Sequence, residues 1–137
     1  MTESFNKINN LLSTRCATFK LIEAGILHIV LIENSEIDLE ESKLMQQQSQ
    51  LLTEGKKFVA LIDARTKVFV TKESREWGST AEAQKNMIAQ AILINSLANR
   101  LVGNFIIKFH KPVAKTALFT DETSALKWLR TQLSNAK

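Results

Sequence analysis

The sequence predicts an α/β domain built on a mixed sheet, and three observations carry that prediction. Apolar, branched runs at residues 26–32 and 58–62 have the length of strands covered on both faces. Helix-length amphipathic segments alternate with such runs, and capping residues stand at their starts. The resulting order is β β α β α β α β α, and strands separated by helices imply right-handed parallel crossovers. The expected sheet has five strands, the first antiparallel and the other four parallel, with helices packed on it.

Residues 1–13 are polar, with Phe5, Ile8, Leu11 and Leu12 at helical spacing, and read either as a short docking helix or as a tail. Residues 14–137 form the single domain. Residues 15–23 alternate, with Ala17, Phe19 and Leu21 on one face and Thr18 and Lys20 on the other, as in a half-buried strand. Glu23, Ala24 and Gly25 make a tight turn into the second strand, giving an antiparallel hairpin. Asp38 with Glu41 is a capping-box-like helix start. That helix should reach about Glu54, bury Leu44, Met45, Leu51 and Leu52, and stop at Gly55, where a left-handed residue carries no steric cost. A strand follows over residues 57–63. Thr71 caps the next helix, and Gly78 with a second cap, Ser79 and Glu82, predicts a break or restart.

Residues 87–94 read as a strand, and Ser96 caps a strongly apolar helix that Pro112 ends. A short strand at 115–119 and a helix at 122–133, capped by Thr120 or Asp121, complete the chain. The helix over 97–109 has apolar residues at 97, 98, 101, 102, 105, 106, 107 and 109. That arc is wider than the stripe of about 100° that one sheet face covers.

Composition narrows the function classes. A length of 137 residues suits one domain with its own core, and 45% hydrophobic with 23% charged residues argues against disorder. The single cysteine, Cys16, cannot form an internal bridge, so an oxidising compartment is not indicated. The first residues lack a basic region followed by an apolar stretch, and no window approaches the roughly 18 apolar residues of a membrane span. A cytoplasmic protein is expected.

Three stretches, FVALIDA, AILINSLANRLVGNFI and ALFTDETSALKWL, resemble the SpoIIAA-like, or STAS/SEC14-like, bacterial domains over residues 19–133. The resemblance implies a β-α superhelix with an antiparallel strand first. In the anti-sigma-factor antagonist branch of that family, a serine at the start of the second helix is phosphorylated and controls binding to an anti-sigma kinase, within an Asp-Ser-x-Gly type pattern. Aligning Asp63 with the family's strand-end aspartate puts Thr71, Lys72, Glu73 and Ser74 there, so the pattern is missing. The resemblance therefore implies a non-enzymatic interaction or regulatory domain without the usual phosphoacceptor. Its SEC14-like side implies, as the alternative, a binder of a small apolar or lipid-like ligand.

Ligands of α/β sheets sit beyond the carboxyl ends of parallel strands, which makes Asp63, Arg65, Thr71 and Ser74 candidate binding residues. Asp63 at a strand end more often accepts loop amides, and Thr71 and Ser74 more often cap helices. The second candidate group is Ser96, Arg100, Phe105, Ile106, Lys108 and Phe109. There a wide apolar face with a basic rim points to a homodimer, to another protein, or to an apolar small molecule. Between Ala83 and Thr120 lie five basic residues, Lys85, Arg100, Lys108, Lys111 and Lys115, and no acid. Without aromatic interleaving this reads as a solvated face, and nucleic acid is not expected. His28 and His110 lack a second ligand at metal spacing, Cys16 has no base nearby in sequence, and no glycine-rich phosphate loop is present. No catalytic set, metal or cofactor is expected.

Overall fold

In the computed structural model, which describes residues 11–95 and 113–136, the chain forms a six-stranded mixed sheet with a smaller ladder beside it. Along the chain come β1 (Leu11–Ser13), β2 (Ala17–Glu23), β3 (Ile26–Leu31), β4 (Glu36–Ile37) and α1 (Leu39–Thr53). Then follow β5 (Phe58–Asp63), β6 (Phe69–Val70), α2 (Lys72–Gly78), β7 (Met87–Leu93), β8 (Lys115–Phe119) and α3 (Glu122–Asn135). The main sheet has the order β1-β2-β3-β5-β7-β8. Its first three strands pair antiparallel, and β3, β5, β7 and β8 pair parallel.

The mixed α/β prediction holds, with one strand more than the expected five. The extra strand is β1: Leu11 and Leu12 lie in an edge strand paired with Lys20 and Phe19, so helical spacing does not extend through them. The rest of the N-terminal segment lies outside the described residues, as does the expected helix over 97–109.

Strand alternation divides the core into two layers. Phe58 and Ala60 pack with Phe19, Leu27, Ile29 and Leu52 on the α1 face, while Val59 and Leu61 pack with Ala91, Leu93, Ala125 and Leu129 on the α3 face. A bulge between Leu21 and Glu23 shifts the register of β2, and Ile22, on the opposite face from Phe19 by alternation, packs in the α3 layer. Gly25 turns the hairpin at φ 84°, and a Cβ there would lie 2.8 Å from Leu133 Cδ2. Glycine is needed at this position both for the backbone and for the approach of α3. Trp128 is half-buried beside the fully buried Leu129, with its ring 5.6 Å from that of Phe119.

The capping signals mark their helices. Asp38 accepts from Glu41 N at 2.8 Å, Thr71 from Ser74 N at 3.2 Å, and Asp121 from Ser124 N at 2.8 Å. α1 ends with Glu54 and Gly55 both at positive φ. Met45 and Leu52 face the core as expected, but Leu44 and Leu51 are 40% and 61% exposed, because α1 turns Glu41 and Ser49 inward instead. Ser49 and Thr53 can be buried because their hydroxyls donate to the backbone oxygens of Met45 and Ser49. α2 breaks at Gly78, the first of the two expected outcomes, and no helix restarts at Ser79: residues 79–86 run in turns, and Thr80, not Ser79, accepts from Ala83 N.

Candidate functional site

Asp63, Arg65, Thr71 and Ser74 lie at or beyond the carboxyl ends of β3 and β5, and there the polar groups are committed to one another. Asp63, last in β5, accepts from Arg65 N at 3.1 Å and Arg65 Nε at 3.0 Å, while its second oxygen takes Arg65 Nη2 at 2.7 Å. That guanidinium holds the Asp63 carboxyl below the usual carboxylate range against an opposing desolvation, and it is itself held charged. Asn95 Nδ2 donates to Arg65 O at 2.7 Å, fastening the end of β7 to the same loop.

The loops above are also joined. β4 and β6 pair in parallel, Asn34 N donates to Lys67 O, and Thr71 N donates to Ile37 O. The sequence does not predict this ladder, because two-residue strands leave no periodicity. It sets the caps of α1 and α2 side by side, so Thr71 closes a helix terminus and Ser74, 3% exposed, meets the hydroxyl of Ser42. Both candidate hydroxyls are thus occupied within the fold. Ser96, Arg100, Phe105, Ile106, Lys108 and Phe109 lie outside the described residues.

A second region, which the sequence did not single out, has the opposite character. On the α1 face of the sheet, a cavity of about 200 Å³ opens between the sheet, α1 and the end of α2. Phe58 and Met87 form its floor, Met45 projects from α1, and Trp77 closes it from α2. α2 rests on α1, through Ser42 and Ser74 and through Lys43, whose ammonium lies 5.8 Å from the Trp77 ring centre. Gln46 and Gln50, four apart on α1, donate to Glu82 O at 2.8 Å and Lys85 O at 3.0 Å and hold the 79–86 turns over the cavity. Gln84 donates to Gly78 O at 3.0 Å and accepts from Ala114 N at 2.6 Å. Trp77 Nε1 is buried with no hydrogen-bond partner among the described residues.

The sequence carried a faint signal of this region: glutamines one turn apart on an amphipathic helix, and a tryptophan just before a helix-ending glycine. Neither identifies a cavity, because cavities depend on how far α2 stands from the sheet.

Three further groups fall outside both regions. Cys16 is fully buried, and burial, then the nearby Glu41 charge, pushes its thiol pKa up. His28 Nε2 is buried without a partner among the described residues. No group of three or more His, Cys, Asp or Glu side chains that could hold a metal occurs among the described residues. No described helix is long and apolar enough to cross a membrane.

The fold is similar to that of an uncharacterised protein of the DUF3478 family from Shewanella loihica PV-4, whose crystal structure has a SpoIIAA-like fold. The two align with a TM-score of 0.56 and 16% identity over 87% of this chain and 90% of that one. The SpoIIAA-like architecture that the sequence resembles is therefore the architecture of this domain, and at that identity the likeness speaks for the fold alone. No curated protein matches the sequence. The model of the domain of unknown function DUF7793 matches residues 20–133, the greater part of the chain, and the protein belongs to that family.

Proposed function

We propose that this SpoIIAA-like domain is a non-enzymatic binding module that takes a small apolar molecule into the cavity beneath Trp77. One observation carries this reading: the cavity walls are predominantly apolar, and beside them stands a buried indole N–H with no acceptor among the described residues. An unmet buried donor costs roughly 1–3 kcal/mol, which a fold keeps most readily where a ligand or a movement relieves it. Support for a non-enzymatic role comes from the strand-end groups. Asp63 is locked by Arg65, Thr71 is a cap, and Ser74 is sealed, so the polar side chains best placed for chemistry serve the scaffold.

Native mass spectrometry of the purified protein tests the proposal. The expected result is a retained small molecule, or uptake of one from a set of apolar compounds, lost on acid unfolding. A bare chain mass throughout, with no thermal stabilisation by any compound in the set, contradicts it.

A second reading, a regulatory domain that docks a protein or a second copy of itself, is favoured by the outer face of α1. Leu44 and Leu51, seven apart and both exposed, share one side of that helix. Leu51→Glu should then move sedimentation toward monomer without loss of the fold. A wild-type chain that stays monomeric and captures no partner at high micromolar concentration counts against this reading.

A further inference from the structure

Resting on the cavity reading above, we infer that the ligand is a neutral, single-ring compound carrying one hydrogen-bond acceptor, and not a fatty acid or other organic anion. Charge comes first. Among the described residues that line the cavity there is no Asp, Glu, Lys, Arg or His. A carboxylate or ammonium entering it would give up its hydration without gaining a counter-charge. The amides at the rim offer no counter-charge in exchange: Gln46, Gln50 and Gln84 each commit one N–H to a backbone oxygen, and Gln90 donates to Thr116 Oγ1 at 3.0 Å.

Size comes second. The volume of about 200 Å³ is somewhat above that of an apolar cavity of about 150 Å³ that accepts benzene. It therefore suits one six-membered ring with a short substituent, and an acyl chain of lipid length would have to extend out of it into water. The walls agree with a flat ring: Phe58 and Trp77 offer aromatic faces and edges, and the thioethers of Met45 and Met87 make favourable sulfur-aromatic contacts.

Polarity comes third. The buried Trp77 Nε1–H needs an acceptor, and a carbonyl or ether oxygen on the ligand supplies one after a small rotation of the indole.

Three probes of nearly equal size separate these points: acetophenone, ethylbenzene and phenylacetate, with dodecanoate as the long chain. Titrations of the full chain at neutral pH are followed by the two tryptophan indole N–H signals, assigned with Trp77→Phe. Acetophenone should shift the Trp77 signal, bind about tenfold tighter than ethylbenzene and tighter still than phenylacetate, and lose its advantage over ethylbenzene in Trp77→Phe. Because the shift is read in the wild type, the test stands even if the variant folds poorly. Phenylacetate or dodecanoate binding as tightly as acetophenone overturns the inference and leaves the cavity as a binding site. Ethylbenzene matching acetophenone overturns the acceptor. If none of the four binds, the inference and the cavity reading both fall.

Discussion

The crevice at the strand ends and the cavity beneath α2 lie on one small sheet, yet they use their residues in opposite ways. At the crevice every candidate polar group has a partner: Asp63 is forked to Arg65, the flanking loops are joined by β4 and β6, and Ser74 meets Ser42. At the cavity the walls carry no charge among the described lining residues, and Trp77 Nε1 has no acceptor among them. Polar residues at an expected location can be structure, while unspent volume and an unmet donor at an unexpected one point more directly to a ligand. α2 explains the asymmetry. Resting on α1, with the 79–86 turns tied to Gln46 and Gln50, it is held away from the strands that it would otherwise cover.

The largest expected effect is on stability at the cavity floor. Phe58→Ala removes a ring that is 3% exposed and shared with the α1 core layer, and it should cost about 3–4 kcal/mol in urea unfolding. A cost under about 1 kcal/mol would mean that the floor is not packed as described.

Next is the crevice. Because Arg65 lowers the Asp63 pKa in the folded state, the fork stabilises the fold above the unfolded carboxylate value of about 3.9. That contribution disappears as pH falls through the lower folded value. Arg65 is partly solvated, so screening limits the effect: Asp63→Asn should cost about 1 kcal/mol at pH 7. The difference from wild type should close as pH drops below about 4. A gap that does not narrow at all as pH falls below about 4 would assign the loss to packing rather than charge.

Smaller changes sharpen the cavity side. Ala83→Leu places a larger side chain in the lining and should change stability by less than about 1 kcal/mol while abolishing ligand uptake. Trp77→Phe removes the unmet donor, a gain of roughly 1–3 kcal/mol, and also the five-membered ring of the indole, a packing loss of similar size, so the two should nearly cancel and leave stability within about 1 kcal/mol of wild type. A penalty of several kcal/mol would show that the indole N–H has a partner.

How much of this was legible in the sequence follows from the range of the forces involved. The β2–β3 hairpin, the parallel strands and the caps at Asp38, Thr71 and Asp121 were readable, because alternation and capping act within a few residues. β1, β4 and β6 were not, since strands of two or three residues exist only through partners elsewhere in the chain. The face of α1 was misjudged for a related reason: apolar content favoured Leu44 and Leu51, but hydroxyls that bond back to their own helix let Ser49 and Thr53 go inside. At the crevice the favoured structural reading of Asp63 and Thr71 matches the geometry, since Asp63 accepts the Arg65 amide and Thr71 caps α2. At the cavity no residue type stood out, because the feature is a distance between elements.

Amide and indole chemical-shift mapping during an acetophenone titration tests most directly the claim that binding belongs to the cavity and not the crevice. Shifts concentrated at Met45, Trp77, Ala83 and Met87, with Asp63, Arg65 and Asn95 unmoved, are the predicted result. Shifts centred on Asp63, Arg65 and Asn95, with the residues beneath α2 unmoved, would contradict it.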